Sequence, residues 1–255
     1  EVANWLNFSL IIFAMGFRFF YSLFEGSFEF FYQGLIGLGF FFVLGNLLYY
    51  GRFFAGGDAK LMIALGAVLP LTKYFHFNLR IFLIFFAIFL LIGGIYSLGV
   101  SLFFGIKNFE RLRREFKIQL RKNKGMVLGL LVLGLLFLIL GIYSSSFLVL
   151  GMFLAIFPYV YIYAKAVDEA CMVVRVRGSN LSEGDWLYEK IRIGNKTVYP
   201  KWEGLSLEEI NLIKKKHKSV LVRKGIPFTP VFLISFLILI WLWFSKILGT
   251  LLLVF

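Results

Sequence analysis

Residues 80–104 read RIFLIFFAIFLLIGGIYSLGVSLFF, and no charged side chain follows Arg80 within this stretch. A helix that crosses the hydrocarbon core of a bilayer needs about 20 mostly apolar residues, so this stretch is long enough to span. Further apolar segments are Trp5–Phe24, Gln33–Tyr50, Asp58–Leu71, Met126–Tyr143, Phe147–Ala164 and Phe228–Leu248. We therefore expect an α fold, a polytopic transmembrane helical bundle with about seven spans.

The composition also favours a membrane protein. Apolar residues make up 60% of the chain and charged residues 16%, with a mean hydropathy of +0.85. Soluble domains contain about 45–50% apolar and about 25% charged residues. The chain has a single cysteine, Cys171, and two histidines that are far apart in sequence, His76 and His217. We therefore expect no disulfide within the chain, no metal site and no cofactor.

The formal net charge of +13 comes mainly from two polar stretches, a basic loop at 105–125 and the region 165–224. The positive-inside rule places both stretches in the cytoplasm. Ser144–Ser146 is then the outer tip of a hairpin between two apolar segments. No aromatic-interleaved RNA-binding motif accompanies the basic stretches. We therefore expect membrane lipid, and not nucleic acid, as the partner of this charge.

The polar region 171–224 is predicted to form a small cytoplasmic α+β domain. It follows the membrane helices of residues 1–170 and precedes the last transmembrane helix in residues 225–255. Its expected elements are a strand at Met172–Arg177, a hairpin of Lys190–Ile193 and Thr197–Tyr199 turning at 194–196, a helix from the Ser206–Glu209 capping box to about His217, and a strand at Ser219–Arg223. The pattern leaves two roles open, a solvated appendage or a lid over the cytoplasmic mouth of a site.

Asp58 is the acidic residue that stands out by its position. It follows the glycine pair Gly56-Gly57 and opens an apolar helix. An ionisable group at the edge of a span is costly, and its presence suggests a functional role. Glycine lets the backbone adopt unusual dihedral angles and lets another chain approach closely. The alternative is structural, because Asp is also a favourable N-cap residue that stabilises a helix start by about 0.5–2 kcal/mol.

Three stretches together resemble the type IV prepilin and preflagellin peptidases, membrane aspartic peptidases of the GxGD type. The sequence GGDAKLMIALGA at 56–67 is similar to the second catalytic motif of that family. The sequence IPFTP at 226–230 is similar to the motif before its last span, and VANWL at 2–6 is similar to the stretch after its first catalytic Asp. The polar region at 171–224 resembles the additional domain of the archaeal branch.

The resemblance implies a membrane aspartic endopeptidase that removes the N-terminal leader from pilin-like or archaellin precursors, which carry a basic leader and an apolar helix. It implies that Asp58 is a catalytic acid and base. Substrate binding or support of the active site is implied for Gly56, Gly57, Ile226, Pro227, Phe228 and Pro230. The two prolines have a structural alternative, because Pro also marks an ordinary helix start.

The chain departs from the family pattern in two ways. Ala55 stands where the family has the first glycine of G-x-G-D. The family's first catalytic Asp lies about five residues before the position of Glu1, and the paired acids share one proton. We expect the complete protein to carry this residue on an additional, eighth span. The alternatives are a catalytically inactive relative that serves as a membrane scaffold, or a transporter, because broken helices with a buried acid also build ion sites.

Overall fold

The computed structural model describes residues 3–193, 196–216 and 219–245 and is predominantly helical. Its α-helices are α1 (Asn4–Glu25), α2 (Glu29–Tyr50), α3 (Gly56–Val68), α4 (Phe75–Lys107), α5 (Phe109–Lys122), α6 (Lys124–Leu140), α7 (Ser145–Val167), α8 (Leu207–Lys216) and α9 (Thr229–Phe244). Its strands are β1 (Val173–Arg177), β2 (Trp186–Leu187), β3 (Ile191–Ile193), β4 (Lys196–Val198) and β5 (Ser219–Arg223). The chain divides into two compact units, Glu1–Ser97 with Pro227–Phe255, and Leu98–Ile226.

In the first unit, helix α1 turns Asn7, Arg18 and Ser22 inward and its aromatic residues outward. Asn7 and Arg18 are only 5% and 4% exposed, whereas Phe13 and Phe24 are 77% and 91% exposed. Positions 7 and 18 share a face because 11 residues make about three helical turns. Exposed rings around a buried polar stripe are expected of a helix that faces lipid and not water.

Helices α2 and α3 pack closely through glycine. A Cβ atom on Gly37 would collide with the carbonyl oxygen of Gly66, and one on Gly66 would lie 2.6 Å from the carbonyl oxygen of Gly37. Farther along, a Cβ on Gly45 would lie 3.1 Å from the carbonyl oxygen of Ala59. Small residues allow such close contact between membrane helices.

The predicted apolar segments are helical, but they differ in whether they can cross a bilayer. Among the described residues, α1, α2, α4 and the helix Ser145–Met172 are long and apolar enough to span. A fifth span is reached only if α5 and α6 are counted as one helix, and the two are bent by 76° at Asn123. Helix α3 has 13 residues, which is about 20 Å of helix and short of a bilayer core of about 30 Å. The expected count of seven is therefore not confirmed. The described part of α9 has 16 residues, and Leu248, its predicted end, lies outside the described residues.

In the second unit, α6 and α7 form the predicted hairpin. A Cβ on Gly151 would lie 2.7 Å from the amide nitrogen of Leu138, so the two helices touch backbone to backbone. Ser144 is the N-cap of α7, and its Oγ accepts a hydrogen bond from the amide of Ser146 at 3.4 Å. The serines thus form the tip of the hairpin, as the sequence predicted.

The basic stretch that we expected to be a loop at 105–125 contains helix α5. Leu112 and Phe116 on α5 pack with Ala166 and Val167 at the end of α7. Because the polar domain also follows the end of α7, the two basic stretches lie at the same end of the α6–α7 hairpin. This agrees with the assignment of both to one side of the membrane. That this side is the cytoplasm stays a prediction.

The polar domain matches its predicted elements. Strand β5 lies between β1 and β2 in an antiparallel sheet, and β3 pairs with β4 in the expected hairpin. Glu209 N–H donates to Ser206 Oγ at 3.3 Å, and the Ser206 amide donates to Glu209 Oε2 at 3.1 Å, so the capping box is confirmed. The short strand β2 was not predicted. Residues 194–195 of the hairpin turn and His217 lie outside the described residues.

Candidate active site

Asp58 is the third residue of α3 and not its N-cap. Ala55 holds the N-cap position, with no side-chain hydrogen bond to the first turn. The N-cap interpretation of Asp58 is therefore wrong. The half-buried carboxylate lies in the first turn, where the positive end of the helix dipole favours a negative charge.

The backbone before Asp58 explains why Ala is accepted in place of the family's glycine. Ala55 has φ −70° and ψ 161°, a conformation open to any L-residue. In the described part of the chain, positive φ at glycine occurs at Gly26, Gly184 and Gly204, so the unusual dihedral angles expected for Gly56 and Gly57 do not occur. The backbone of Gly56 has open space beside it, because a Cβ atom there would meet Tyr49 Cε2 at an ordinary contact distance of 3.8 Å.

The start of α3 is linked to the start of α1. Lys60 Nζ, two residues after Asp58, donates a hydrogen bond to Asn4 Oδ1 at 2.8 Å. The chain that leads into α1 therefore arrives at the same end of the unit as Asp58.

The other end of α3 is capped by Arg18. Its Nε donates to the carbonyl of Ala67 at 2.9 Å, and its Nη2 donates to Val68 and Pro70 at 3.2 and 2.5 Å. The last carbonyls of a helix have no partner within that helix, and they are costly to leave bare inside a membrane. Arg18 thus explains how so short a helix can end within the apolar unit.

Helix α9 approaches the start of α3, where Asp58 lies, through an aromatic cluster. Phe228 is the N-cap of α9, and Pro230 lies in the first turn, which agrees with the structural alternative of an ordinary proline-marked helix start. The Phe228 ring packs on Phe89 with ring centroids 5.6 Å apart, and Phe89 packs on Phe54 at 5.7 Å. Because Phe54 directly precedes Ala55, one ring separates Phe228 from the residue before the N-cap of α3. The functional role of Phe228 stays a prediction.

The predicted site residues lie in different parts of the structure. Gly56, Gly57 and Asp58 share the first turn of α3. Phe228 has φ −96° and ψ −10°, so the backbone just before α9 is helical and not extended at this residue. Ile226 packs in the second unit, in the cluster around Leu112. The roles of Ile226, Pro227 and Pro230 in substrate binding stay predictions.

Sequence reasoning missed two polar residues of α1. Asn7 and Arg18 interrupt an apolar run, and their 11-residue spacing was the signal that both face inward. Asn7 lines a cavity of about 380 Å³ with Asn4 and Lys60, and its side-chain amide has no hydrogen-bond partner within the described ranges.

No three His, Cys, Asp or Glu side chains come close enough to hold a metal ion in the part of the chain that the structure describes.

Residues 1–98, which contain Arg18, Asp58 and Lys60, match the type IV leader peptidase family. The resemblance is thereby confirmed over the part of the chain that contains α1, α2 and α3. The leader peptidase match indicates a protease, and together with the apolar helices it indicates a multi-pass membrane protein. No curated protein matches the chain, and no solved structure matches it.

Proposed function

We propose that this protein is a membrane aspartic endopeptidase. It removes the N-terminal leader from type IV pilin-like or archaellin precursors at the cytoplasmic face of the membrane. The observation that carries the proposal is that the leader peptidase match, residues 1–98, contains Asp58 in the first turn of an apolar helix. An acid in that position is costly to keep without a function.

Asp58 acts in this proposal with a second carboxylate, which the family resemblance assigns to the chain before Glu1. Two close carboxylates do not both ionise easily, so they share one proton. The ionised acid takes a proton from water, and the protonated acid donates to the carbonyl oxygen or to the leaving amine. The Lys60–Asn4 hydrogen bond supports this arrangement, because it holds the chain entering α1 at the Asp58 end of the unit.

The proposed substrate suits a site at the end of a membrane helix. A precursor with a basic leader and an apolar helix can insert that helix into the bilayer and leave the leader at the charged surface. The bond between the two parts then lies where water is available. Gly56 leaves space beside Tyr49 for an extended substrate backbone to approach α3.

Replacement of Asp58 by Asn tests the proposal. Asp58→Asn keeps the size of the side chain but removes the proton acceptor, so the full-length variant should fold and lose cleavage of a pilin-like precursor. A matched control is Asp185→Asn, because Asp185 Oδ2 only accepts the Ser182 amide in the polar domain, at 2.8 Å, and an Asn oxygen can replace it. Cleavage is followed by the mass change of the precursor in vesicles. Wild-type cleavage by Asp58→Asn would reject the assignment.

A further inference from the structure

Helix α5 carries a row of basic side chains that the proposed peptidase chemistry does not use. Arg113, Lys117 and Arg121 follow one another at intervals of four residues, and Arg114 lies beside them. Residues four apart lie on one face of a helix, so these side chains form a stripe. All four are exposed.

The basic stripe, defined as Arg113, Arg114, Lys117 and Arg121, has no acidic partner in the described part of the chain. The ion pairs there involve other basic residues, Lys73, Lys201 and Arg223. One acid, Glu110, lies on the same side of the helix, so the stripe keeps a net positive charge. An exposed positive face of this kind attracts an anionic partner.

The opposite face of α5 is already occupied. Leu112 and Phe116 pack with Ala166, Val167 and the other residues of the cluster at the end of α7. The basic stripe lies on the exposed side of the helix and is available to a partner. Phe109 and Ile118, at its two margins, are 62% and 38% exposed.

The angle between α5 and α6 indicates which kind of partner the basic stripe meets. Helix α5 meets the apolar helix α6 at Asn123 with a bend of 76°. If α6 runs along the membrane normal, α5 lies nearly in the membrane plane, at the level where the apolar helix ends. Lipid headgroups occupy that level. A helix that lies in the interface typically presents Lys and Arg together with Phe or Leu.

We infer that α5 is an interfacial helix whose basic stripe binds the headgroups of anionic phospholipids. The guanidinium and ammonium groups contact phosphate oxygens, and Phe109 and Ile118 enter between the headgroups beside them. This contact holds α5 in the membrane plane and fixes the depth of the α6–α7 hairpin. The inference is independent of peptidase activity.

The experiment measures lipid preference in the reconstituted full chain. Spin-labelled phosphatidylglycerol and phosphatidylcholine are compared for the fraction immobilised by the protein. The wild type should prefer phosphatidylglycerol several-fold, and the preference should fall at about 1 M salt, where the Debye length is about 3 Å. Replacement of the four stripe residues by Gln should bring the two lipids close to parity.

A second set of four substitutions provides the matched control. Lys190, Lys196, Lys214 and Lys215 are exposed in the polar domain, and their replacement by Gln removes the same charge elsewhere. The control variant should keep the preference for phosphatidylglycerol. An equal loss in both variants, or no loss in the stripe variant, would overturn the inference.

A probe on the otherwise wild-type stripe covers the case in which the stripe variant fails to fold. A bimane on Arg114→Cys, in a Cys171→Ser background, should be quenched by a lipid that carries a quencher on its headgroup. Quenching only by a water-soluble quencher would show that the stripe faces water. Binding of RNA or of a soluble acidic protein by this face, without any lipid preference, would likewise overturn the inference.

Discussion

Lys60 Nζ donates a hydrogen bond to Asn4 Oδ1 at 2.8 Å and so joins the first two turns of α3 to the first turn of α1. The two residues are far apart in sequence, and each belongs to a stretch that resembles part of the leader peptidase sequence pattern. The stretch near Asn4 follows the position of the first catalytic Asp, and Lys60 follows Asp58. The contact therefore joins the stretch that follows the proposed first Asp to the helix that carries Asp58.

Loss of this contact should impair cleavage more than folding. Lys60→Met keeps the length of the side chain but removes the donor, so the two helix starts can separate. Since a misplacement of about 1 Å can cost about a hundredfold in rate, we expect kcat to fall by about tenfold to a hundredfold. Cleavage of a pilin-like precursor in vesicles measures the effect. Asn4→Leu should have a similar effect, and the double variant should be little worse than either single variant.

Lys73→Met is the control for Lys60→Met. Lys73 also contacts α1, through an ion pair with Glu25, but at the opposite end of the helix from Asn4. Its loss should leave kcat within about twofold of the wild type, because an ion pair between exposed side chains contributes little to stability. Equal losses of kcat in the two lysine variants would show that the Asn4 contact has no special link to the site.

Arg18 should be a major source of stability for the first unit. Arg18→Met removes the donors for the carbonyls of Ala67, Val68 and Pro70 and leaves them without that partner. We expect a loss of about 3 kcal/mol or more in the free energy of unfolding, measured by denaturant titration in detergent micelles. Arg18→Lys should lose less, because it keeps the charge, but it cannot direct several donors at separate carbonyls.

The matched control for Arg18→Met is Arg177→Met, which removes an exposed arginine from β1. Surface substitutions usually change stability by less than about 0.5 kcal/mol. Similar unfolding free energies for the two variants would contradict a capping role for Arg18.

The membrane helices and the polar domain could be predicted because local patterns determine them. Long apolar runs gave the positions of α1, α2, α4 and α7, and the serine-to-glutamate spacing gave the start of α8. The helical character of α5 was missed, because its abundant charge was interpreted only as a marker of the cytoplasmic side. Its amphipathic pattern becomes meaningful when the end of α7 covers Leu112 and Phe116.

The candidate site could be predicted only in part. The motif identified Asp58, but the N-cap position at Ala55 and the helical backbone of Gly56 depend on where α3 begins. The contacts of Lys60 with Asn4 and of Arg18 with Ala67 join residues about 50 positions apart in sequence. No periodicity within one segment reveals such pairs, because they follow from the packing of α1 on α3.

In the polar domain, Glu209 should make the start of α8 sensitive to acid. A hydrogen bond from Lys201 lowers the pKa of Glu209 below its ordinary value, and burial opposes this in part. A lowered pKa contributes stability that is present above the pKa of the unfolded chain and is lost as the pH falls through the folded pKa. Hydrogen exchange in the first turn of α8, corrected for intrinsic rates, should therefore increase as the pH falls below about 4.

Glu209→Gln is the test variant for this pH dependence. Its side-chain oxygen can still accept the Ser206 amide, but it carries no charge for Lys201 to hold. Exchange in the first turn of α8 should then be faster at neutral pH and should lack the acid transition. A wild-type transition in Glu209→Gln would assign the acid sensitivity to another group.

The membrane orientation can be tested with single cysteines at the two ends of the α6–α7 hairpin. In a Cys171→Ser background, Ser145→Cys lies at the tip of the hairpin, and Lys117→Cys lies on α5. Since the basic stretches are assigned to the cytoplasm by the positive-inside rule, an impermeant maleimide should label Ser145→Cys in intact cells. It should label Lys117→Cys only after the membrane is opened. Because α5 packs at the end of α7 that is opposite the tip, the two labels should report opposite sides. Labelling of both from the same side would contradict the hairpin, and labelling in the reverse pattern would contradict the cytoplasmic assignment of the basic stretches.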